Sequence, residues 1–334
     1  MAERVVEADG IELCTEPFGD PSDAPVLLVM GTGASMLWWE EGFCRMLAGG
    51  ARFVIRYDHR DTGRSVTYEP GHPGYTGMDL VEDAVRVLDA YGLPAAHVVG
   101  VSAGGALAQL LALGHPARVL SLVLISTSAA VPGGDRELPP PTQEFLRFAS
   151  DARVDRSDAD SMIAYQVAYA RVLSGGRRPF DEDAARRLAR RDVGRARDVA
   201  ALRNHDSLPE GEPPQAPLSS VGVPTLVIHG SADPLFPLAH GEALAERIPG
   251  ARLLVLDGAG HGVERADWEV IVPAILALTT AGGAGRGKSR EGSGRDRSVR
   301  DRSGWDRSVR DRSGWDRSVR DRSGMEKPRP PRAP

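Results

Sequence analysis

One stretch of the sequence predicts the fold, and it reads His97-Val98-Val99-Gly100-Val101-Ser102-Ala103-Gly104. Its first five residues form a largely apolar run, which is typical of a strand buried on both faces. The small apolar residues at 106–113 then predict a helix that begins near Ala103. Ser102 therefore lies in a strand-to-helix turn, within a Gly-x-Ser-x-Gly pattern. Flanking glycines permit the sharp turn that raises a serine hydroxyl above a sheet. The context thus favours a nucleophile elbow over a glycine-rich turn with an incidental serine.

The other strands are predicted from short runs of the same kind. They lie at residues 4–8, 11–16, 26–30, 53–57, 120–125, 225–229 and 252–256. Asp9-Gly10 joins the first two in a tight hairpin. Helical patterns separate the later strands, at residues 79–91, 238–247 and 268–280. This alternation predicts an α/β fold with a mainly parallel, doubly wound sheet and a short antiparallel start.

Residues 131–218 interrupt the alternation, because they contain no convincing strand and have proline clusters at both ends. Helical patterns fill the interval, one of them after a capping sequence at 157–160 and one after the acidic residues 181–183. We therefore expect a helical cap at 131–218, inserted between two parts of a core at 1–130 and 219–280. The Met and Tyr residues of the cap are expected to pack against the core, and such residues can also line a pocket.

The C-terminal residues 281–334 differ in composition from the rest of the chain. They hold 16 Lys and Arg against 8 Asp and Glu, although the whole chain has a net charge of −5. A ten-residue unit, (Arg/Trp)-Asp-Arg-Ser-Val-Arg-Asp-Arg-Ser-Gly, occurs three times at 295–324. One or two apolar residues per unit cannot offset the entropy of ordering the backbone, so we expect a disordered tail. Deletion of 285–334 is predicted to leave catalytic activity intact.

A histidine is expected to act as the base that activates the serine. A serine hydroxyl is a weak nucleophile and needs a base that a third group holds in place. In folds with this elbow the order along the chain is serine, acid, histidine. Four histidines follow Ser102 outside the cap: His115, His229, His240 and His261. His261 is the predicted base, because it lies on a glycine-rich loop just after the last strand.

The acid is predicted from its place at a strand end. Asp233 follows the strand at 225–229 and would fix the tautomer of the histidine and stabilise its charged form. Asp257 competes, although it ends the strand that delivers His261 and is close to it in sequence. Asp206 and Glu264 are weaker candidates. An aspartate in a plain turn remains an alternative for Asp233.

Attack on an ester creates an oxyanion, which needs hydrogen-bond donors. The backbone N–H of Ala103 is one expected donor, because it follows the nucleophile. The N–H of Thr32 is the other, since Gly31 and Gly33 let the loop after the third strand bend inward. A nucleotide-binding turn is disfavoured there, because Met36 stands where the third glycine of G-x-G-x-x-G would be.

The motifs at 27–31, 54–65, 97–102, 223–228 and 258–261 resemble the α/β-hydrolase superfamily, over roughly residues 1–280. Within it the chain is most similar to the aclacinomycin methylesterase type of anthracycline tailoring, although the cap matches that type poorly. The resemblance implies a catalytic Ser102, Asp233 and His261, with oxyanion donors at Thr32 and Ala103. We expect a hydrolase that works without a metal or organic cofactor. A methyl ester on a polyketide-like scaffold is the substrate that the resemblance suggests.

The sequence thus predicts a serine esterase whose partner is a small or medium hydrophobic ester. The same three residues also serve lactonases, C–C hydrolases, thioesterases and perhydrolases, so these activities stay open. A non-catalytic ligand-binding protein on the same scaffold is the alternative from another class.

Composition and local sequence exclude several other classes of protein. The apolar runs are shorter than the ~20 residues of a membrane helix, and no secretory signal begins the chain. We therefore expect a cytoplasmic protein without a membrane or nucleic-acid partner. Cys14 and Cys44 are too few for a disulfide framework and lack metal-ligand spacing.

Overall fold

The computed structural model describes residues 2–134 and 136–281. An eight-stranded sheet in the order β1-β2-β4-β3-β5-β6-β7-β8 forms its centre. The strands are β1 (Arg4–Ala8), β2 (Ile11–Phe18), β3 (Ala24–Val29), β4 (Arg52–Tyr57), β5 (Ala96–Val101), β6 (Val119–Ile125), β7 (Thr225–Gly230) and β8 (Arg252–Leu256). The tail that is expected to be disordered, residues 281–334, lies outside the described residues except for its first position.

Only the first strands of the sheet run against their neighbours. β1 pairs antiparallel with β2, and β2 pairs antiparallel with β4. All later neighbours pair in parallel, from β4 through β3 and β5 to β8. The carboxyl ends of β3 to β8 therefore meet at one edge of the sheet, where ligands bind in open α/β folds.

Helices cover both faces of this sheet, and each face has its own apolar core. On one face lie α2 (Gly77–Ala90), α3 (Ala103–Gly114) and α7 (Ala239–Arg247). On the other lie α1 (Glu41–Gly49) and α8 (Trp268–Ala281). The two layers confirm the predicted doubly wound α/β class.

The helices agree with the sequence prediction at α3 but not at α1. α3 begins at Ala103, as predicted, and Gly104 and Gly105 are helical despite their low propensity. α1 was not predicted, since it starts without a side-chain cap and has glycine at its second and last positions. Tertiary packing of Phe43 and Leu47, both buried, stabilises it instead.

A helical insert, residues 126–224, separates β6 from β7. It contains α4 (Gln143–Asp151), α5 (Ala159–Leu173), α6 (Glu182–Arg195) and a 3-10 helix at Ala200–Asp206. Asp158 caps α5 by accepting hydrogen bonds from the backbone N–H groups of residues 160 and 161. Met162 packs with Val193 and Leu202 in a small core of the insert's own. The insert thus has an apolar centre separate from the two cores of the sheet.

Candidate active site

Ser102 occupies a strained turn between β5 and α3. Its φ is +55° and its ψ −125°, a backbone conformation that residues other than glycine rarely adopt. Such strain persists only where the surroundings impose it, and it is concentrated at functional sites. The predicted elbow is therefore present in the structure.

The glycines on either side of Ser102 permit the turn through close packing and not through a left-handed backbone. Neither Gly100 nor Gly104 has a positive φ. A Cβ on Gly100 would overlap the backbone of Gly104, and one on Gly104 would overlap the carbonyl of Val29. The glycines thus permit the sharp turn, as expected, because they carry no side chain. Ser102 itself has the positive φ, and the glycines let α3 approach β5 and β3.

His261 and Asp233 meet at the carboxyl ends of β8 and β7. Nδ1 of His261 lies 2.8 Å from Oδ2 of Asp233, and their side chains are 4% and 0% exposed. Oδ1 of the same carboxylate accepts hydrogen bonds from the backbone N–H groups of Leu235 (2.9 Å) and Phe236 (2.8 Å). Because a carboxylate only accepts, Nδ1 of His261 carries the ring hydrogen and Nε2 is left free to take a proton.

Asp257, the competing acid, is turned away from His261. It is exposed, and its Oδ1 accepts a hydrogen bond from the hydroxyl of Ser231 at 3.2 Å. Asp206 pairs with Arg156 at 2.7 Å instead. The structure therefore brings together the acid and base that strand-end reasoning selected.

The other histidines considered as bases have other hydrogen-bond partners. Nε2 of His229 lies 2.7 Å from the carbonyl oxygen of Phe236 and 3.5 Å from Oδ2 of Asp233, and burial lowers the pKa of this ring. His240 bonds the hydroxyl of Ser128 and a backbone carbonyl, and His115 pairs with Glu82. Of the histidines considered, His261 makes the shorter contact with Asp233, at 2.8 Å.

Ser102 reaches the same edge of the sheet through β6. Its backbone N–H donates to the carbonyl of Ile125 at 3.0 Å, at the end of that strand. The next residue, Ser126, accepts a hydrogen bond through its hydroxyl from the N–H of Gly262, beside His261. Among residues 2–134 and 136–281, no hydrogen-bond partner is found for Oγ of Ser102. Catalytic hydrogen bonds in unliganded enzymes often close only when substrate binds.

The loop after β3 passes beside the serine. A Cβ built on Gly31 would lie 3.2 Å from Cβ and 3.7 Å from Oγ of Ser102. Thr32, the next residue, is exposed, and Gly33 has a φ of +63°. Ala103 is the first residue of α3, where backbone N–H groups lack partners within the helix. Both predicted oxyanion donors therefore lie on segments adjacent to the serine.

The segment that follows this loop is fixed by two buried carboxylates. Asp58 accepts a hydrogen bond from the N–H of Met36 at 2.9 Å, and burial raises the pKa of Asp58 to about 6. Asp192, on α6 of the insert, accepts from the hydroxyl of Ser35 and from Nε1 of Trp38. Asp58, in the segment after β4, and Asp192, in the insert, thus both support the loop after β3.

Aromatic residues of the insert cluster near the site. Phe148 and Tyr165 each lie within 6.0 Å of Tyr169, measured between ring centroids. Burial raises the pKa of Tyr169 to about 12, and the negative charge of Asp233 acts in the same direction. Phe236 lies 5.7 Å from the ring of His261. These rings offer an apolar environment beside the acid and base.

Within the described ranges, no group of three or more His, Cys, Asp or Glu side chains is placed to hold a metal ion. No helix in the same part of the chain is long and apolar enough to cross a membrane.

Comparison with known proteins identifies relatives of this chain. A family model described as the alpha/beta hydrolase fold matches residues 24–263. The chain is 36% identical to rhodomycin D methylesterases of Streptomyces sp. (strain C5) and Streptomyces peucetius, over 84% of this chain and 99% of each relative. A hydrolase from Pseudomonas aeruginosa PA01 superposes with a TM-score of 0.60 at 28% identity, covering 84% of this chain and 98% of the other. The resemblance inferred from the motifs is confirmed.

Proposed function

The chain belongs to the α/β-hydrolase fold family, and from this premise we propose that it is a serine hydrolase that cleaves a carboxylic ester of a small or medium hydrophobic molecule. One observation carries the proposal. Asp233 holds Nδ1 of His261 at 2.8 Å, at the sheet edge where Ser102 is presented on a strained turn.

In the proposed mechanism Nε2 of His261 removes the proton from Oγ of Ser102, which attacks the ester carbonyl. The tetrahedral intermediate then collapses, and the imidazolium returns its proton to the departing alcohol. Water, deprotonated by the same imidazole, hydrolyses the acyl-enzyme and releases the acid. Asp233 stabilises the imidazolium at each stage, because its carboxylate faces Nδ1 in a buried setting.

The oxyanion of the intermediate is assigned to the backbone N–H groups of Thr32 and Ala103. The N–H of Ala103 benefits from its place at the first turn of α3, where the helix dipole favours negative charge. One well-placed donor of this kind contributes roughly 3–4 kcal/mol to transition-state stabilisation in other hydrolases. Close approach of Gly31 to Ser102 supports the assignment of Thr32.

The insert is assigned the role of a cap over the reacting groups. Aromatic rings of the insert surround Tyr169, and Phe236 adjoins the base. Flat, apolar surfaces suit a polycyclic acyl group better than a charged peptide. Together with the relatives named as rhodomycin D methylesterases, they support a methyl ester on a polyketide-type scaffold as the substrate.

The test compares wild type with Ser102→Ala on p-nitrophenyl esters of short acids. Wild type should release a burst of nitrophenolate equal to the enzyme concentration, and the variant should release none. Turnover by Ser102→Ala at the wild-type rate would refute the nucleophile. Absence of turnover by wild type on esters, lactones and thioesters alike would favour a non-catalytic binding protein.

A second panel separates esterase from the other acyl chemistries of the fold. Methyl esters of aromatic polycyclic acids are compared with lactones, thioesters and β-diketones at equal concentration. Preference for the methyl esters by kcat/KM supports the substrate proposed here. If another class of compound is preferred, the proposed mechanism still holds but the proposed substrate is wrong.

A further inference from the structure

Two histidines hold the loop that carries the assigned oxyanion donor Thr32. Nε2 of His59, at the end of β4, lies 3.0 Å from the carbonyl oxygen of Met30. Nδ1 of His205, in the insert, accepts a hydrogen bond from the backbone N–H of Gly33, also at 3.0 Å. Gly31 and Thr32 therefore lie between two fixed points of the backbone.

The ring of His205 has one possible tautomer in this arrangement. A backbone N–H only donates, so Nδ1 has to be unprotonated to accept from Gly33. The hydrogen of the neutral ring is then on Nε2, which lies 2.8 Å from the carbonyl oxygen of Arg60. Both ring nitrogens are thus engaged, and the side chain has a single orientation.

The 3-10 helix that carries His205 is itself fixed to the core. The adjacent Asn204 is fully buried and donates from Nδ2 to the carboxylate of Asp61 at 2.9 Å. Its Oδ1 accepts a hydrogen bond from the N–H of Gly71. The residue next to His205 is therefore held by hydrogen bonds to the segment after β4.

The loop needs such a support because of its composition. Glycines at 31 and 33 give the backbone more conformational freedom than other residues would. An oxyanion donor contributes most when it is already oriented before the charge develops. If the peptide next to Thr32 were free to rotate, the N–H of Thr32 would lose part of its contribution to transition-state stabilisation.

We propose that His205 is a positioning residue, which orients the N–H of Thr32 by holding the N–H of Gly33, so that the insert completes the oxyanion hole from outside the core. This inference rests on the proposed function. His205 touches neither the substrate carbonyl nor the three reacting side chains in this assignment. Its loss should therefore lower the rate of the chemical step and leave ground-state binding nearly unchanged.

The experiment uses two substitutions that each keep one of the two hydrogen bonds. His205→Asn keeps an acceptor near the position of Nδ1, and His205→Gln keeps a donor near the position of Nε2. We expect His205→Gln to lower kcat at least about tenfold with KM within about twofold, and His205→Asn to retain most of kcat. Equal kcat values for the two variants, or a loss confined to KM, would overturn the proposal.

A second readout tests the oxyanion hole itself. An alkyl boronic acid forms a tetrahedral adduct when Oγ of Ser102 adds to boron and its proton passes to His261. Its affinity should fall in His205→Gln in parallel with kcat, whereas the affinity of the planar carboxylate product should not. An unchanged boronic acid affinity in a folded His205→Gln protein, checked by thermal melting, contradicts the inference.

Ser102→Ala separates this inference from the proposed function. If Ser102→Ala keeps the activity, the serine mechanism fails, whatever the His205 variants do. If Ser102→Ala is inactive and both His205 variants match wild type, only the positioning role fails.

Discussion

His261 is paired through Nδ1 with Asp233, 28 residues earlier in the chain, at 2.8 Å. The pair is almost closed to solvent, and the second carboxylate oxygen is occupied by two backbone N–H groups. Asp257, only four residues from His261, bonds Ser231 instead. The acid after the neighbouring strand β7, and not the nearer acid at the end of the histidine's own strand β8, therefore meets the base.

The two aspartates give a matched test of this pairing. In Asp233→Asn the amide can donate to Nδ1, so the ring hydrogen moves to Nε2 and the base is lost. We expect kcat to fall by roughly 10⁴. Asp257→Asn should stay within about twofold of wild type, because that carboxylate is exposed. Comparable losses in the two variants would contradict the assignment.

The glycines of α3 give a test of packing. Gly104→Ala should lower the free energy of unfolding by roughly 2–3 kcal/mol, because the new Cβ would overlap the backbone of β3. Gly114→Ala, at the end of the same helix, should be neutral or stabilising by up to about 1 kcal/mol, since its new Cβ meets only ordinary contacts. Urea unfolding of both variants measures the difference. Equal stabilities would contradict the close approach of α3 to β3.

Asp192 links the insert to the loop after β3. Asp192→Ala leaves the hydroxyl of Ser35, Nε1 of Trp38 and Nε2 of Gln166 without their acceptor. We expect a loss of roughly 3 kcal/mol in the free energy of unfolding, together with a shift in tryptophan emission.

The control for Asp192→Ala is Asp183→Ala, on the exposed side of the same helix. It removes only a charge from the first turn of α6 and should cost less than about 1 kcal/mol. A loss of the same size in both variants would mean that the buried contacts of Asp192 contribute nothing to the free energy of unfolding.

Buried histidines should make the protein less stable in acid. Burial lowers the pKa of His59 and of His97 to about 4. Between pH 6.5 and 4 the unfolded chain binds protons at these residues and the folded protein does not, so stability is lost as the pH falls through this interval. Each residue can account for at most about 3 kcal/mol of that loss.

Urea unfolding at pH 7.5 and pH 5 measures this effect. His97→Gln should reduce the difference between the two free energies of unfolding, whereas His72→Gln, at an exposed position, should not. If His97→Gln leaves the difference between the two free energies of unfolding unaltered, folding does not lower the pKa of His97.

Much of the fold could be predicted from the sequence because buried parallel strands are continuous apolar runs. β1 and β8 have the predicted bounds of residues 4–8 and 252–256, and the other strands differ by one or two residues at their ends. α1 was missed because neither capping nor propensity marks it, and its stability comes from packing against the sheet.

The supports of the site could not be predicted, because they join residues far apart in sequence. Ser35 and Asp192 are separated by 157 positions, and no periodicity relates them. His205 was set aside as a candidate because it lies within the insert. Its contact with Gly33 depends on how the insert folds back over β3, which local patterns do not encode.

The end of α5 has a consequence for how this scaffold can diversify. The carbonyl oxygen of Leu173 accepts a hydrogen bond from the backbone N–H of His261 at 2.7 Å, and Gly260 is packed against the same residue. A chimera that exchanges the insert for that of another family member would also exchange this support. An insert taken from another family member should therefore preserve the loop of His261 only if its helix ends at the position of Leu173. Otherwise a compensating change at residues 260–262 should be needed.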